Sequence, residues 1–335
     1  MALAQVRDVA ARAGVSPATV SNALNHPDKV SEATRERVQE AIAELGYVRN
    51  DAARQLRQQQ NLAVGMIVLD IGNPFFADVA RGAENSLEAL HRPLLLGNSS
   101  QSSQRELTQL RLFEEQRVAG ILVTPAGDII ERLHEIRRRG IAVVIVDRDA
   151  GTEAIPSVST DDVLGGRLAT EHLLDLGRRR IAVVGGPRHI RQVAHRHEGA
   201  LAAAEEYDGA QVRLFDTGAM DSAAGREATR ALLELSDAER PDAIFATNDL
   251  VALGALQELS RAGVRVPEDI ALIGYDDIAF TASATVPISS IGQPAEEMGM
   301  RAAELLVAAI EDPESPVEHQ VFTPSLVPRE STLGR

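Results

Sequence analysis

The sequence predicts an all-α head followed by an α/β body of two doubly wound parallel-sheet lobes with a ligand cleft between them. Three observations carry that prediction. Up to residue 45, apolar residues recur at helical spacing between capping residues. From residue 62, short apolar runs alternate with amphipathic stretches, the pattern of parallel strands joined by crossover helices. Those runs also come in two matching sets about 120 residues apart, which indicates a duplicated unit.

In the head, Val6, Val9 and Ala10 stand at i, i+3 and i+4, one buried helical face, and Gly14-Val15 ends that helix. Ser16 reads as an N-cap with Pro17 at the first helical position of a second helix over 17–24, which buries Val20, Ala23 and Leu24. Two short helices joined by a tight glycine turn make a helix-turn-helix. Ser31 caps a third helix over 32–45, with Val38, Ile42 and Leu45 on one face and Gly46 at its end. The outer side of the second helix carries Thr19, Ser21 and Asn22, short polar groups able to reach base edges. Residues 50–57 have helical propensity but too little apolar surface to fold alone, and 58–61 form a polar linker.

Composition narrows the chemistry. The 335 residues contain no cysteine, so disulfides, thiolate metal sites and thiol nucleophiles are excluded. Lys29 is the only lysine and follows Asp28, so no phosphate-binding G-K-[ST] loop exists. Neither G-x-G-x-x-G nor H-E-x-x-H occurs, and His195 with His197 lacks further ligands, so no cofactor or metal is expected. The net charge of −15 is unevenly spread: residues 1–57 carry eight basic and seven acidic residues, or +1, leaving −16 on the rest. No apolar run is long enough to span a bilayer, and charges interrupt the N-terminus where a signal peptide needs its apolar stretch, so a cytoplasmic location is expected.

In the body, 62–69, 120–124 and 141–146 form the first set of strands, and 180–184, 242–247 and 270–274 the second. The third strands lead into Asp147 and Asp276. Ligands of open α/β sheets bind at the carboxyl ends of strands, and two facing lobes can close around one. Asn73 and Pro74 read as cap and first residue of a helix that brings Phe75 and Phe76 to this end. An ionised aspartate suits vicinal hydroxyls, an aromatic face the apolar side of a sugar ring or a flat base. Asp147 and Asp276 can in principle act as an acid–base pair, but their mirror-related positions suit passive clamping better. With no nucleophile, metal or cofactor motif beside them, no enzyme is expected.

From Val6 to Arg57 the chain resembles the DNA-binding head of the LacI/GalR family of bacterial transcriptional regulators. The A-x-x-A-G-V-S-x-x-T-V-S, V-S-x-x-T-R-x-R-V and G-Y-x-x-N-x-x-A-R-x-L runs occur in order at family spacing. The two-lobed body resembles the sugar-binding periplasmic receptors, an architecture that family shares. The resemblance implies a head over 1–49, a hinge helix and linker over 50–61, and an effector-binding and dimerisation domain over 62–335. It places lobe one at about 62–160 plus 290–320, and lobe two at about 161–289 plus 321–331.

The second helix then enters the major groove. Pro17, Ala18 and Asn22 occupy base-reading positions, Thr19 and Ser21 contact phosphates, and Leu56 becomes a minor-groove wedge. Asn22 departs from the arginine many relatives carry there. Phe76, Asp147, Arg196 (in R-x-x-G), Asn248 (in N-D) and Asp276 (in G-[FY]-D-D) become the effector contacts, with Asp161 a weaker candidate. Asp162 stands where asparagine is common, and Arg191 and Gln192 are less typical of the family. The function so implied is a sequence-specific transcriptional repressor. A near-palindromic double-stranded operator releases it when a small sugar-like effector binds. The alternative is a corepressor-type regulator answering to a purine or nucleoside. Since no leucine heptad closes the chain, a homodimer is expected.

Overall fold

A computed structural model describes residues 4–26, 29–47 and 62–334. The chain divides into two compact units, Met1–Gln60 and Asn61–Arg335. Leu56 and the segment 50–61 lie outside the described residues.

In the first unit, α1 (Val6–Ala13), α2 (Pro17–Asn25) and α3 (Glu32–Leu45) pack around Val9, Ala10, Ala13, Val20, Ala23, Val38 and Ala41. The ends are fixed locally. The Asp8 carboxylate accepts the Gln5 N–H at 2.7 Å, and Ser16 Oγ accepts the Thr19 N–H at 3.0 Å ahead of Pro17. Gly14 (φ 66°) and Gly46 (φ 56°) close α1 and α3 in the left-handed conformation that glycine adopts without strain. Leu45, expected inside, is 37% exposed; Ala41 is buried on that face instead, because a three-helix core this small runs out before the last turn of α3.

The second unit begins with β1 (Val64–Val68), α4 (Pro74–Glu88), β2 (Leu94–Asn98), α5 (Ser103–Glu115), β3 (Gly120–Val123), α6 (Ile130–Arg138), β4 (Ala142–Val146) and β5 (Ser157–Thr160). The chain then crosses to a second lobe. There it forms α7 (Asp162–Asp175), β6 (Arg180–Val184), α8 (Arg191–Glu205), β7 (Gln211–Phe215), α9 (Ser222–Leu233), β8 (Ala243–Ala246), α10 (Asp249–Arg261), β9 (Ala271–Asp276), α11 (Ala279–Ala282) and β10 (Ser289–Gly292). It returns for α12 (Ala295–Glu311) and β11 (His319–Phe322), and crosses once more for β12 (Ser325–Val327) and α13 (Glu330–Leu333).

Among the described residues, the strands form two six-stranded sheets of matching order, β11-β5-β4-β3-β1-β2 and β12-β10-β9-β8-β6-β7. Pairing is parallel except for β12, which runs antiparallel to β10. The central strands are buried along their length, as sheets covered by helices on both faces require.

The crossings fall slightly later than 290 and 321. Ser290–Gly292 still pair with β9 and β12, and the ladder stops before Pro294, which has no N–H to donate. Phe322 pairs with Thr160 and so belongs to the first sheet. Strands β2 and β7 were not expected; in β2, Leu95 and Leu96 are 40% and 43% exposed, so this edge strand lacks the buried apolar signature of the central ones.

The duplication extends to the helices. In lobe one, α4 meets α12 so closely that a Cβ on Gly82 would lie 2.0 Å from the Glu296 carbonyl, and one on Gly299 1.9 Å from the Val79 carbonyl. In lobe two, α7 meets α8 in the same way: Gly166 faces the Arg196 carbonyl and Gly199 the Val163 carbonyl, both at 1.9 Å. Each pair joins the helix that follows a lobe's first strand, α4 after β1 and α8 after β6, to the helix that enters the lobe after a crossing, α12 and α7. Both pairs bring their N-terminal turns to the cleft.

Candidate DNA-reading helix and ligand cleft

On α2, Pro17, Ala18 and Asn22 are exposed, while Thr19 and Ser21 are half-buried. The Thr19 hydroxyl lies 2.9 Å from Ser16 Oγ, so it joins the helix cap as well as the outer face. The exposed face of α2 thus presents two apolar surfaces and one amide.

In the body, the strand ends and helix starts converge on one buried polar cluster. Arg196, on the second turn of α8, is 4% exposed. Its Nε donates to Asp162 Oδ1 at 2.7 Å, its Nη1 donates to the Thr247 carbonyl at 2.6 Å, and Asp276 Oδ1 stands 3.8 Å from Nη1. The guanidinium lies over the Tyr275 ring, 3.5 Å from its centroid. Asp276 ends β9 at φ 107°, and accepts from Asn73 Nδ2 at 2.8 Å and from Gln293 Nε2 at 2.9 Å. Asp147 follows β4 at φ 59°. Its carbonyl and Oδ2 accept from Gln192 Nε2 at 2.5 and 2.9 Å.

Two amide–carboxylate bonds therefore cross between the lobes. Asn73 of lobe one holds the strand-end acid of lobe two, and Gln192 of lobe two holds the strand-end acid of lobe one. A depression of about 400 Å3, lined by Phe75, Asp276, Gln293 and Glu296 among others, opens beside them.

The surrounding structure supports the two strained aspartates. Asp249, fully buried at the start of α10, accepts the Ile278 N–H and the Ser290 hydroxyl, both at 2.8 Å, and so anchors the turn after Asp276. Gly274 leaves room for it, since a Cβ there would lie 2.0 Å from Asp249 Oδ1. The G-Y-D-D run thus has four separate jobs: clearance for Asp249, a ring beneath Arg196, the cleft acid, and Asp277 paired with Arg329 at 2.7 Å.

Charge is unbalanced here. Burial pushes the Asp147 carboxyl well above its ordinary range, and Asp162 and Asp276 add to that while Arg196 opposes it. Burial likewise raises Asp276, to about 6, against the pull of Arg196, Asn73 and Gln293. Burial opposes the charge on Arg196, but Asp162 and the neighbouring acids hold the guanidinium firmly ionised.

Phe76 and Phe75 are both buried, edge to face with centroids 5.0 Å apart, in an apolar cluster that also takes Ile190, Val193, Met220 and Ile278 from lobe two. Asn248 caps α10: its Oδ1 accepts the Val251 N–H, and its Nδ2 donates to the Met220 carbonyl at 3.0 Å. Asp161 is exposed and caps α7 through the Leu164 N–H, so its neighbour Asp162 is the one that enters the cluster. Asn73, Gln293 and Tyr275 were missed as site residues. Asn73 looked like a helix cap, which it also is, accepting the Phe75 N–H at 3.1 Å. No grouping of His, Cys, Asp or Glu suited to a metal ion exists among the described residues.

A helix-turn-helix joined to a two-lobed domain with a buried polar cleft defines a ligand-responsive DNA-binding regulator. Residues 5–50 match the family model for bacterial regulatory proteins of the lacI family, and 170–332 that for the periplasmic binding protein-like domain. The chain is 37% identical to the ribose operon repressor of Bacillus subtilis over 92% of each chain. It is 34% identical to the HTH-type transcriptional repressor PurR of Aliivibrio fischeri over 99% of each.

Among solved structures, it superposes on the Lac repressor dimer bound to operator and the anti-inducer ONPF with a TM-score of 0.78, at 27% identity over 99% of each chain. It also matches a LacI family regulator from Enterococcus faecium with bound ribose, with a TM-score of 0.73 and 31% identity over 81% of this chain and 98% of that one. The protein belongs to the LacI family and is a DNA-binding transcriptional repressor.

Proposed function

We propose that this repressor is released from a near-palindromic operator by a small neutral sugar held in the cleft, and that D-ribose is the first candidate. The observation that carries this reading is a surplus of buried acceptors. Asp147 Oδ1, Gln192 Oε1 and Gln293 Oε1 each meet no donor among the described residues. A polyol supplies the missing O–H donors, and the phenyl pair suits the apolar face of a sugar ring. The names of the Bacillus subtilis and Enterococcus faecium relatives point the same way.

In this reading Phe76, Asp147, Arg196, Asn248 and Asp276 contact the effector, joined by Asn73 and Gln293. Pro17, Ala18 and Asn22 meet base edges, Thr19 and Ser21 phosphates, and Leu56 a central base step. A homodimer in the cytoplasm supplies one head per half-site.

A purine-responsive corepressor is the second reading, favoured by the PurR relative and by a phenyl face at the cleft on which a flat base can stack. Thermal melting with millimolar D-ribose, other sugars, polyols, nucleosides and purines separates the two. A ligand at a hundredfold excess over its Kd stabilises by about 2.7 kcal/mol, a shift of a few degrees in Tm. The expected result is a shift with ribose, weaker operator binding with ribose present, and loss of both responses in Asp276→Ala with operator binding retained. A shift with a purine base and none with sugars, or stronger operator binding with ligand, overturns the inducer reading.

A further inference from the structure

The segment after the last crossing is fastened to lobe two by polar contacts. Its helix α13 buries Ser331 and Thr332 and leaves Leu333 57% exposed. Ser331 Oγ donates to the Leu272 carbonyl at 2.5 Å and accepts the Ser289 N–H at 2.8 Å. Thr332 Oγ1 lies 2.8 Å from His172 Nε2 and 2.7 Å from Ser289 Oγ. The Arg329 N–H donates to Ser289 Oγ at 2.7 Å. These bonds bring Arg329 to the turn that follows β9. Its Nη1 donates to the Ile288 carbonyl at 2.9 Å and stands 2.7 Å from Asp277 Oδ1. Both side chains of that ion pair are largely buried, so solvent screens it only in part.

The turn needs holding. Asp276 at φ 107° and Asp277 at φ 56° are consecutive non-glycine residues in left-handed backbone. Asp249 lies behind them, so three carboxyls crowd one turn, and Ser290 Oγ links two of them by accepting the Asp277 N–H at 3.1 Å and donating to Asp249. Each acid of the turn faces its own cation: Arg196 for Asp276 and Arg329 for Asp277. We infer that Arg329 is a positioning residue for the effector site. Its ion pair with Asp277 holds the strained turn and keeps Asp276 aimed into the cleft, so the C-terminal segment sets effector affinity without touching the effector. The inference rests on the reading of Asp276 as an effector contact. Without the pair, the turn relaxes toward less strained backbone and the neighbouring carboxylate turns with it.

The test is a double-mutant cycle on effector affinity. Full-length wild type, Arg329→Gln, Asp277→Asn and the double variant are titrated calorimetrically with D-ribose, and melting temperature and ribose-free operator binding are measured beside it. Each single variant is expected to bind ribose about fivefold more weakly or worse, and the double variant no worse than the weaker single, as for two residues acting through one contact. Operator binding is retained, and Arg329→Lys, which keeps the charge, recovers part of the lost affinity. Should Arg329→Gln fail to fold, Asp277→Asn and Arg329→Lys carry the test. Variants that melt earlier but bind ribose like the wild type show that Arg329 only fastens the chain end. That result, or penalties that simply multiply in the double variant, overturns the positioning role and leaves the sugar reading standing. No ribose binding by the wild type overturns both.

Discussion

At the scale of single residues, function is written in side chains held where they would not sit by preference. Asp147 and Asp276 occupy left-handed backbone at φ 59° and 107°, which for a non-glycine residue costs roughly 1–3 kcal/mol. Asn73, Gln192, Gln293 and the Asp249 anchor over-determine that geometry and keep both carboxylates aimed at the cleft. The head shows the opposite economy. Pro17 and Ala18 offer only apolar surface, so in the proposed reading base discrimination by the exposed face of α2 falls on Asn22, whose amide can bond adenine N6 and N7. Asn22→Ala is expected to cost roughly 1–3 kcal/mol on the preferred operator and to relax base preference at one position per half-site. Equal weakening on operator and random DNA, measured by gel shift at fixed salt, removes Asn22 from base reading.

At the scale of elements, the α7–α8 and α4–α12 pairs depend on glycines because backbone touches backbone. Gly166→Ala puts a methyl group against the Arg196 carbonyl, which cannot retreat like a flexible side chain. The expected loss is about 1–3 kcal/mol of stability, with weakened effector response because Arg196 moves with its helix. A melting temperature and effector response equal to wild type would show that the helices separate freely. These contacts also mark the limit of what the sequence makes legible. Periodicity and capping located α1 to α3 and the six central strands, since each leaves a local signature. Asp147, Arg196 and Asp276 were legible because they sit at strand ends or in family motifs. Gln293 and Asp162 were not singled out as ligand contacts, and Gln192 was left open between a polar contact and a solvated loop, because their placement depends on which helix start faces which strand end across the cleft. That juxtaposition is set by three chain crossings and carries no local pattern. The edge strands β2 and β7 escaped for a related reason: one side of each lacks the burial that makes a strand read as apolar.

At the scale of the whole molecule, the acidic body has a consequence for how folding couples to protons. Burial raises Asp147, Asp162, Asp249 and Asp276, neighbouring acids add to the rise in all of them but Asp162, and burial raises Glu106 to about 7. A carboxyl raised on folding binds its proton more tightly in the folded state, so folding takes up protons between the unfolded and folded values. Its destabilising effect is fully present above the folded value and is lost as pH falls through it. For Asp276 that interval runs from about 4 to about 6, and for Glu106 from about 4.5 to about 7. Two groups act in the opposite direction: burial lowers His172 and His197, so their contribution is lost as pH falls below their ordinary value of 6.5. Asp269, held at about 2 by Arg265, contributes stability lost only below about 4. The acids outnumber the histidines, so the melting temperature is expected to rise between pH 8 and about 5.5 and to fall again below about 4. Glu106 is the cleanest probe, because its carboxylate accepts the Ala126 N–H behind the first sheet and lies outside the Arg196 cluster. Glu106→Gln keeps the shape and removes the titration, so its melting temperature should change less between pH 7 and 5.5 than that of the wild type. An identical slope in the two proteins means that Glu106 titrates alike folded and unfolded, and the proton linkage then rests on the cleft acids alone.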